Sequence, residues 1–170
     1  MKRRTIAIIT AFWLGLMAAS PLSASPIQGL KAVGSGSMDW LFFTLYDATL
    51  YSPSGRYQAQ QYPLALQIEY RKNIASEDLV IATKEQWQHL GLNNPQQSSW
   101  LAQLAKLWPD VKEGDVLTFV ADSSSEGRFY FNQRLLGQVE GGDFATSFIA
   151  IWLSEQTSRP SLRKQLIGAR

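Results

Sequence analysis

The spacing of apolar residues changes several times along the chain, and each change marks an element. From Trp40 to Tyr51 nearly every residue is aromatic, β-branched or leucine, and Ser52-Pro53-Ser54-Gly55 follows. Such a run closed by turn formers predicts one long strand. Leu64, Leu66, Ile68 and Tyr70 then alternate with Ala65, Gln67, Glu69 and Arg71, the period of two of a strand with one buried face. On that alternation Arg71 belongs to the polar face.

Helical spacing takes over next. Leu79, Ala82, Thr83, Trp87 and Leu90 recur at three and four before Gly91, with Ser76 placed to cap the start and Glu77 and Asp78 at the positive end of the macrodipole. A second helix is expected from Ser98 or Ser99, with Trp100, Leu101, Leu104, Leu107 and Trp108 on one side and Pro109 as its stop. Three short strands follow, Asp115 to Ala121, Arg128 to Phe131 and Leu135 to Val139, joined by the Ser-rich turn before Gly127 and by Asn132-Gln133-Arg134. They read as a meander. Phe144, Phe148, Ile151 and Trp152 then share a helical face behind the candidate cap Asp143, and Pro160 separates a short closing helix, Leu162 to Ile167. Strands and helices segregate along the chain, which predicts an α+β fold with a mainly antiparallel sheet.

The start of the chain stands apart from this pattern. Lys2, Arg3 and Arg4 precede an uncharged apolar run, Ile6 to Ala19, that ends in Pro21 and small residues. That order is the mark of an export signal. The run is about 14 residues, short of the ~20 that cross a bilayer as a helix, so it reads as cleaved, with Ala24 as the expected last residue and a retained anchor as the competing reading. Residues 1–24 are thus a signal peptide, 25–170 one domain, and the mature protein is expected to be periplasmic or secreted with no stable transmembrane anchor.

Removing the signal alters the charge. Three of the 16 basic residues lie in it, against 14 acidic residues that all lie beyond it. The mature chain is close to neutral, so the basic pI gives no reason to expect nucleic acid as a partner. No cysteine occurs and His89 is the only histidine, which leaves no disulfide framework, no thiol nucleophile and no histidine cluster for a metal. No phosphate loop or nucleophile elbow is present, so neither a cofactor nor a metal is expected.

Several segments in order resemble one family: Gly34-Ser-Gly36 ahead of the aromatic strand, Tyr46-Asp-Ala-Thr-Leu-Tyr51, Leu66-Gln-Ile-Glu-Tyr-Arg71, Lys112-Glu-Gly-Asp115, and Phe144 to Leu153 with Thr157-Ser158 and Leu162-Arg163. As a set they look like the bacterial chalcone isomerase-like proteins, relatives of plant chalcone isomerases and of the fatty-acid-binding proteins of that fold. The resemblance implies a curved, mainly antiparallel sheet with helices packed on one face and a small-molecule cleft between them. It also implies a test of catalysis. The enzymes of the family use an arginine ahead of the aromatic strand, a threonine on it and a tyrosine after the second strand. Here Gly34 to Asp39 holds no arginine, the threonine position falls near Tyr46, and Asn73 to Leu79 holds no tyrosine. An oxyanion needs donors already in place, so the catalytic set is not matched.

The reading that follows is an exported, non-catalytic binding protein for a small apolar or amphipathic ligand such as a fatty acid. Arg71 is the candidate partner for an acidic head. Tyr46 and Thr44 are candidates on one face of the aromatic strand, and Phe148 and Trp152 are candidates for the apolar lining. Each has a structural alternative: Arg71 a solvated strand end, Tyr46 a structural tyrosine, the aromatic stripe a core. An isomerase or lyase acting through Tyr46 and Arg71 is a second reading, and an interaction module with no open pocket a third.

Overall fold

The computed structural model describes residues 25–169; the stretch read as an export signal lies outside the described residues. Six strands form one sheet in chain order: β1 (Lys31–Trp40), β2 (Phe43–Ser52), β3 (Leu64–Tyr70), β4 (Val116–Ala121), β5 (Glu126–Phe131) and β6 (Arg134–Glu140). Every neighbouring pair is antiparallel. Helices α1 (Ser76–His89) and α2 (Gln97–Leu107) are inserted between β3 and β4, and α3 (Phe144–Leu153) and α4 (Pro160–Leu166) close the chain. The expected α+β class and the antiparallel sheet with helices on one face are both present.

Register explains which face the helices cover. Leu50, Leu66, Phe119 and Phe129 are mutual partners across four strands, and Ala48, Ile68 and Leu117 form the next row. Alternation therefore gathers these side chains on one surface, where all are buried. Asp47, Gln67, Glu69, Thr118 and Arg128 fall on the other. The apolar surface meets an aromatic cluster from the helices. Phe148 packs on Phe119 at 4.6 Å between ring centroids and on Phe129 at 5.2 Å, and Trp87, Trp100 and Phe144 continue the cluster at 5.5–5.7 Å.

One expectation about the strands needs correction. The run from Trp40 to Tyr51 is not one strand: the chain reverses at Leu41-Phe42, and the residues before it form β1, paired along the length of β2. A two-residue hairpin of this kind ordinarily carries glycine at the position with positive φ. Here that position is Leu41, at φ 56°, so the sequence carries no turn signal. The strand itself is disguised by its small residues. A Cβ on Gly34 would stand 2.1 Å from the Gln165 carbonyl oxygen, and Gly36 is equally crowded by the Gln165 side chain. These glycines let α4 lie against β1, which is the use of strand glycine that sequence patterns disguise.

Caps differ from expectation in detail. Ser76 opens α1 but does not cap it; its backbone N–H donates to Asp110 Oδ1 at 2.8 Å. Asp143 sits at the N-cap of α3 without a side-chain capping bond, and its carboxylate instead accepts from Asn94 Nδ2 at 2.5 Å. The Asn132-Gln133-Arg134 connection tightens to a two-residue turn, Asn132-Gln133, with both residues at positive φ as a type I′ hairpin requires, and Arg134 opens β6.

Candidate functional site

At the β1–β2–β3 end of the sheet the helices stand off, leaving a cavity of about 460 Å³. Met38, Leu45, Tyr46 and Tyr70 come from the sheet, Ile74, Leu79 and Ala82 from α1 and its approach, and Ile151 and Trp152 from α3. Polar groups are few: Asn73, Asp78, Gln86, Ser158 and Arg159, besides the two tyrosine hydroxyls. Tyr70 and Ile151 are buried, whereas Asn73, Asp78 and Ala82 are exposed, so the cavity runs from an apolar floor to a polar rim. Its size and lining are those of a small-molecule pocket.

Tyr46 and Tyr70 face each other because they are register partners, with ring centroids 6.1 Å apart. Trp152 Nε1 donates to the Tyr46 hydroxyl oxygen at 2.9 Å, leaving that hydroxyl free to donate its own proton. Burial raises the pKa of both tyrosines; for Tyr46 the Trp152 bond and the Arg159 charge oppose the rise, and for Tyr70 its neighbour Tyr46 adds to it. Both therefore remain neutral hydrogen-bonding groups at physiological pH.

Arg159 is the cationic group of this site. It is half-buried, lines the cavity and lies over the Trp40 ring at 5.5 Å. Among the described residues its guanidinium forms no ion pair. Asp78 borders the cavity from the first turn of α1. Ser158 is fixed by donating to Gln86 Oε1 at 2.6 Å.

Of the five residues singled out from sequence, the structure brings two together at this cavity, Tyr46 and Trp152. Arg71 lies on the other face of the sheet, held by Asp47 at 2.6 Å and Glu69 at 2.8 Å, as its alternation implied. Thr44 is displaced by a β-bulge. Met38 pairs with Tyr46 but Asp39 pairs with Thr44, so Leu45 is an extra residue, and Thr44 turns outward to donate to Asp39 Oδ1 at 2.7 Å. Phe148 is 3 % exposed and belongs to the aromatic core, one helical turn from Trp152 but on the far side of the cavity wall. Arg159, the residue sequence reasoning missed, follows the Thr157-Ser158 tail of α3, and no periodicity points to it.

An antiparallel sheet covered on one face by helices, with a small pocket where they part, defines the class of fold. A family model described as chalcone isomerase-like matches residues 25–168, and the chain belongs to that family. It is 30 % identical to an uncharacterized protein of Haemophilus influenzae over 168 residues, 99 % of this chain and 78 % of that one. A crystal structure of a fatty-acid binding protein of Arabidopsis thaliana superposes with a TM-score of 0.65 over 85 % of this chain and 89 % of that one, at 10 % identity. That likeness is one of fold.

Proposed function

We propose that this protein binds a small amphipathic molecule with an apolar tail and an acidic head, of which a fatty acid is the representative, and that it does so outside the cytoplasm without transforming its ligand. The observation that carries the reading is an apolar cavity bordered by one guanidinium that has no carboxylate partner among the described residues. A carboxylate beside Arg159 would gain charge-assisted hydrogen bonds, with the Tyr46 hydroxyl as a further donor, while the tail replaced water along Met38, Leu79, Ile151 and Trp152. The fatty-acid binding named for the Arabidopsis relative in fold is consistent with this choice of ligand. Export rests on the amino-terminal pattern of charges followed by an uncharged apolar run.

Two other readings lose support. The isomerase or lyase built on Tyr46 and Arg71 needs both side chains at one substrate, and they lie on opposite faces of the sheet. A closed interaction module needs the helices to seal the sheet, and the cavity exceeds the ~300 Å³ at which ligand pockets begin.

The test is direct. Residues 25–170 are purified, organic extracts are analysed by mass spectrometry, and the delipidated protein is titrated with oleate. Co-purified fatty acid or saturable oleate binding is expected. Lipid-free extracts together with no response to oleate overturn the proposal. Amino-terminal sequencing of the protein recovered from cell fractions tests export, with a start at Ser25 outside the cytoplasm expected and an intact Met1 in the cytosol refuting it.

A further inference from the structure

Six large apolar side chains are exposed among the described residues, and four of them are consecutive: Trp40 at 55 %, Leu41 at 79 %, Phe42 at 95 % and Phe43 at 57 %. They form the tip of the β1–β2 hairpin. Exposed apolar residues scattered singly are ordinary, whereas a contiguous group marks an interaction site. Leu41 also adopts a positive φ of 56°, a conformation disfavoured for a branched side chain. Glycine would relieve that conformation, so the Leu41 side chain carries a conformational cost that the fold does not require.

We infer that this tip is a membrane-docking element that inserts into the interfacial region of an anionic lipid bilayer. Three observations select a bilayer over a protein partner. The first is shape: the two turn residues project from the end of the hairpin, with Leu41 79 % and Phe42 95 % exposed. The second is composition, since tryptophan and phenylalanine beside leucine suit the boundary between headgroups and acyl chains. The third is charge. Lys72 Nζ stands 5.3 Å from the Phe43 ring centroid and the Arg159 guanidinium 5.5 Å from that of Trp40, so two cations flank the tip where phosphate groups would lie. Asp39, the acid beside the turn, accepts from the Thr44 hydroxyl and keeps its charge, and the two cations outnumber it.

Position gives the docking its use. Leu45 lines both the ligand cavity and an apolar recess of about 320 Å³ formed with Trp40, Phe43 and Lys72. A bilayer touching the tip thus borders the cavity through a single side chain, and an amphiphile has an apolar route from one to the other. This last step rests on the proposed ligand; the docking itself does not.

Flotation of residues 25–170 with vesicles separates the two. Vesicles of phosphatidylcholine, alone and mixed with phosphatidylglycerol, are compared for the native chain and for Leu41→Ser/Phe42→Ser, whose side chains lie outside the core. The native protein is expected to float with the mixed vesicles, and the double variant to bind roughly tenfold more weakly, with unchanged circular dichroism and unchanged oleate affinity. A native chain that floats with neither vesicle, or a variant that floats equally well, overturns docking. So does a native chain found as a dimer that the variant dissolves, since the tip then serves a second copy. If docking holds but oleate does not bind, the ligand proposal alone fails.

Discussion

Replacing Arg159 by glutamine probes the proposed binding site at the cation that lines the cavity. The substitution removes the charge and the forked donor set while keeping most of the stem. A hydrogen bond to a charged group contributes about 1.5–3 kcal/mol, and 1.4 kcal/mol corresponds to tenfold in Kd. Because Arg159 is half-buried, solvent screening places the expected effect at the lower end, about tenfold. Calorimetric titration with oleate and with oleyl alcohol isolates this term, since the two ligands share a tail. Native protein is expected to prefer the acid by about tenfold, and R159Q to bind both at the native affinity for the alcohol. The two cavity tyrosines stay neutral, so the preference should not change between pH 7 and pH 9. Equal weakening of both ligands would show that Arg159 only shapes the cavity, and an undiminished preference would place the acidic head elsewhere. Either result refutes the reasoning. In the same assay Asp78→Asn removes a like charge from the rim and should tighten oleate by roughly two- to fivefold.

Phe148→Ala should lower stability by about 3–5 kcal/mol in chemical denaturation, as a buried aromatic truncation does, while the oleate affinity of the folded fraction stays unchanged. A selective loss of affinity would move Phe148 into the site. Gly34→Ala places a methyl against the Gln165 carbonyl, and separation of α4 from β1 should appear as a destabilisation of about 1–3 kcal/mol; a neutral result would mean that the helix does not lie so close. The Asp47 carboxyl is held below its ordinary value of 3.8, first by the Ser37 hydroxyl and then by Arg71. A depressed folded pKa contributes stability that is full above the unfolded value and is lost as pH falls through the folded one. Thermal melts of Asp47→Asn should therefore differ from native above pH 4 and converge with it only as pH falls through the depressed folded value. The gap should stay under about 1 kcal/mol because the group is exposed, and a gap that persists at low pH would assign the effect to packing.

Much of the fold was legible because its signals are local. Leu64 to Tyr70 alternate cleanly, so the buried face of β3 and the outward direction of Arg71 followed from period two alone. The helices announced themselves by spacing and by Gly91 and Pro109 as stops. What stayed hidden was hidden for physical reasons. β1 has glycines where a strand should show side chains, because α4 occupies that space. The hairpin between β1 and β2 turns on a leucine, so its reversal carries no turn residue. The bulge at Leu45 shifts alternation by one and sends Thr44 outward, a slip that sequence cannot register because both phases are apolar.

The same division holds for the site. Sequence determined the family and the aromatic stock of the core. Only tertiary structure decided which residues meet. Tyr46 and Trp152 are 106 positions apart and share a hydrogen bond, and Arg159 reaches the cavity because α3 ends beside the β1–β2 hairpin. Sequence periodicity assigns faces, since a face depends on neighbours one or two residues away. A binding site depends on where separate elements stop, and that is fixed by packing across the whole sheet.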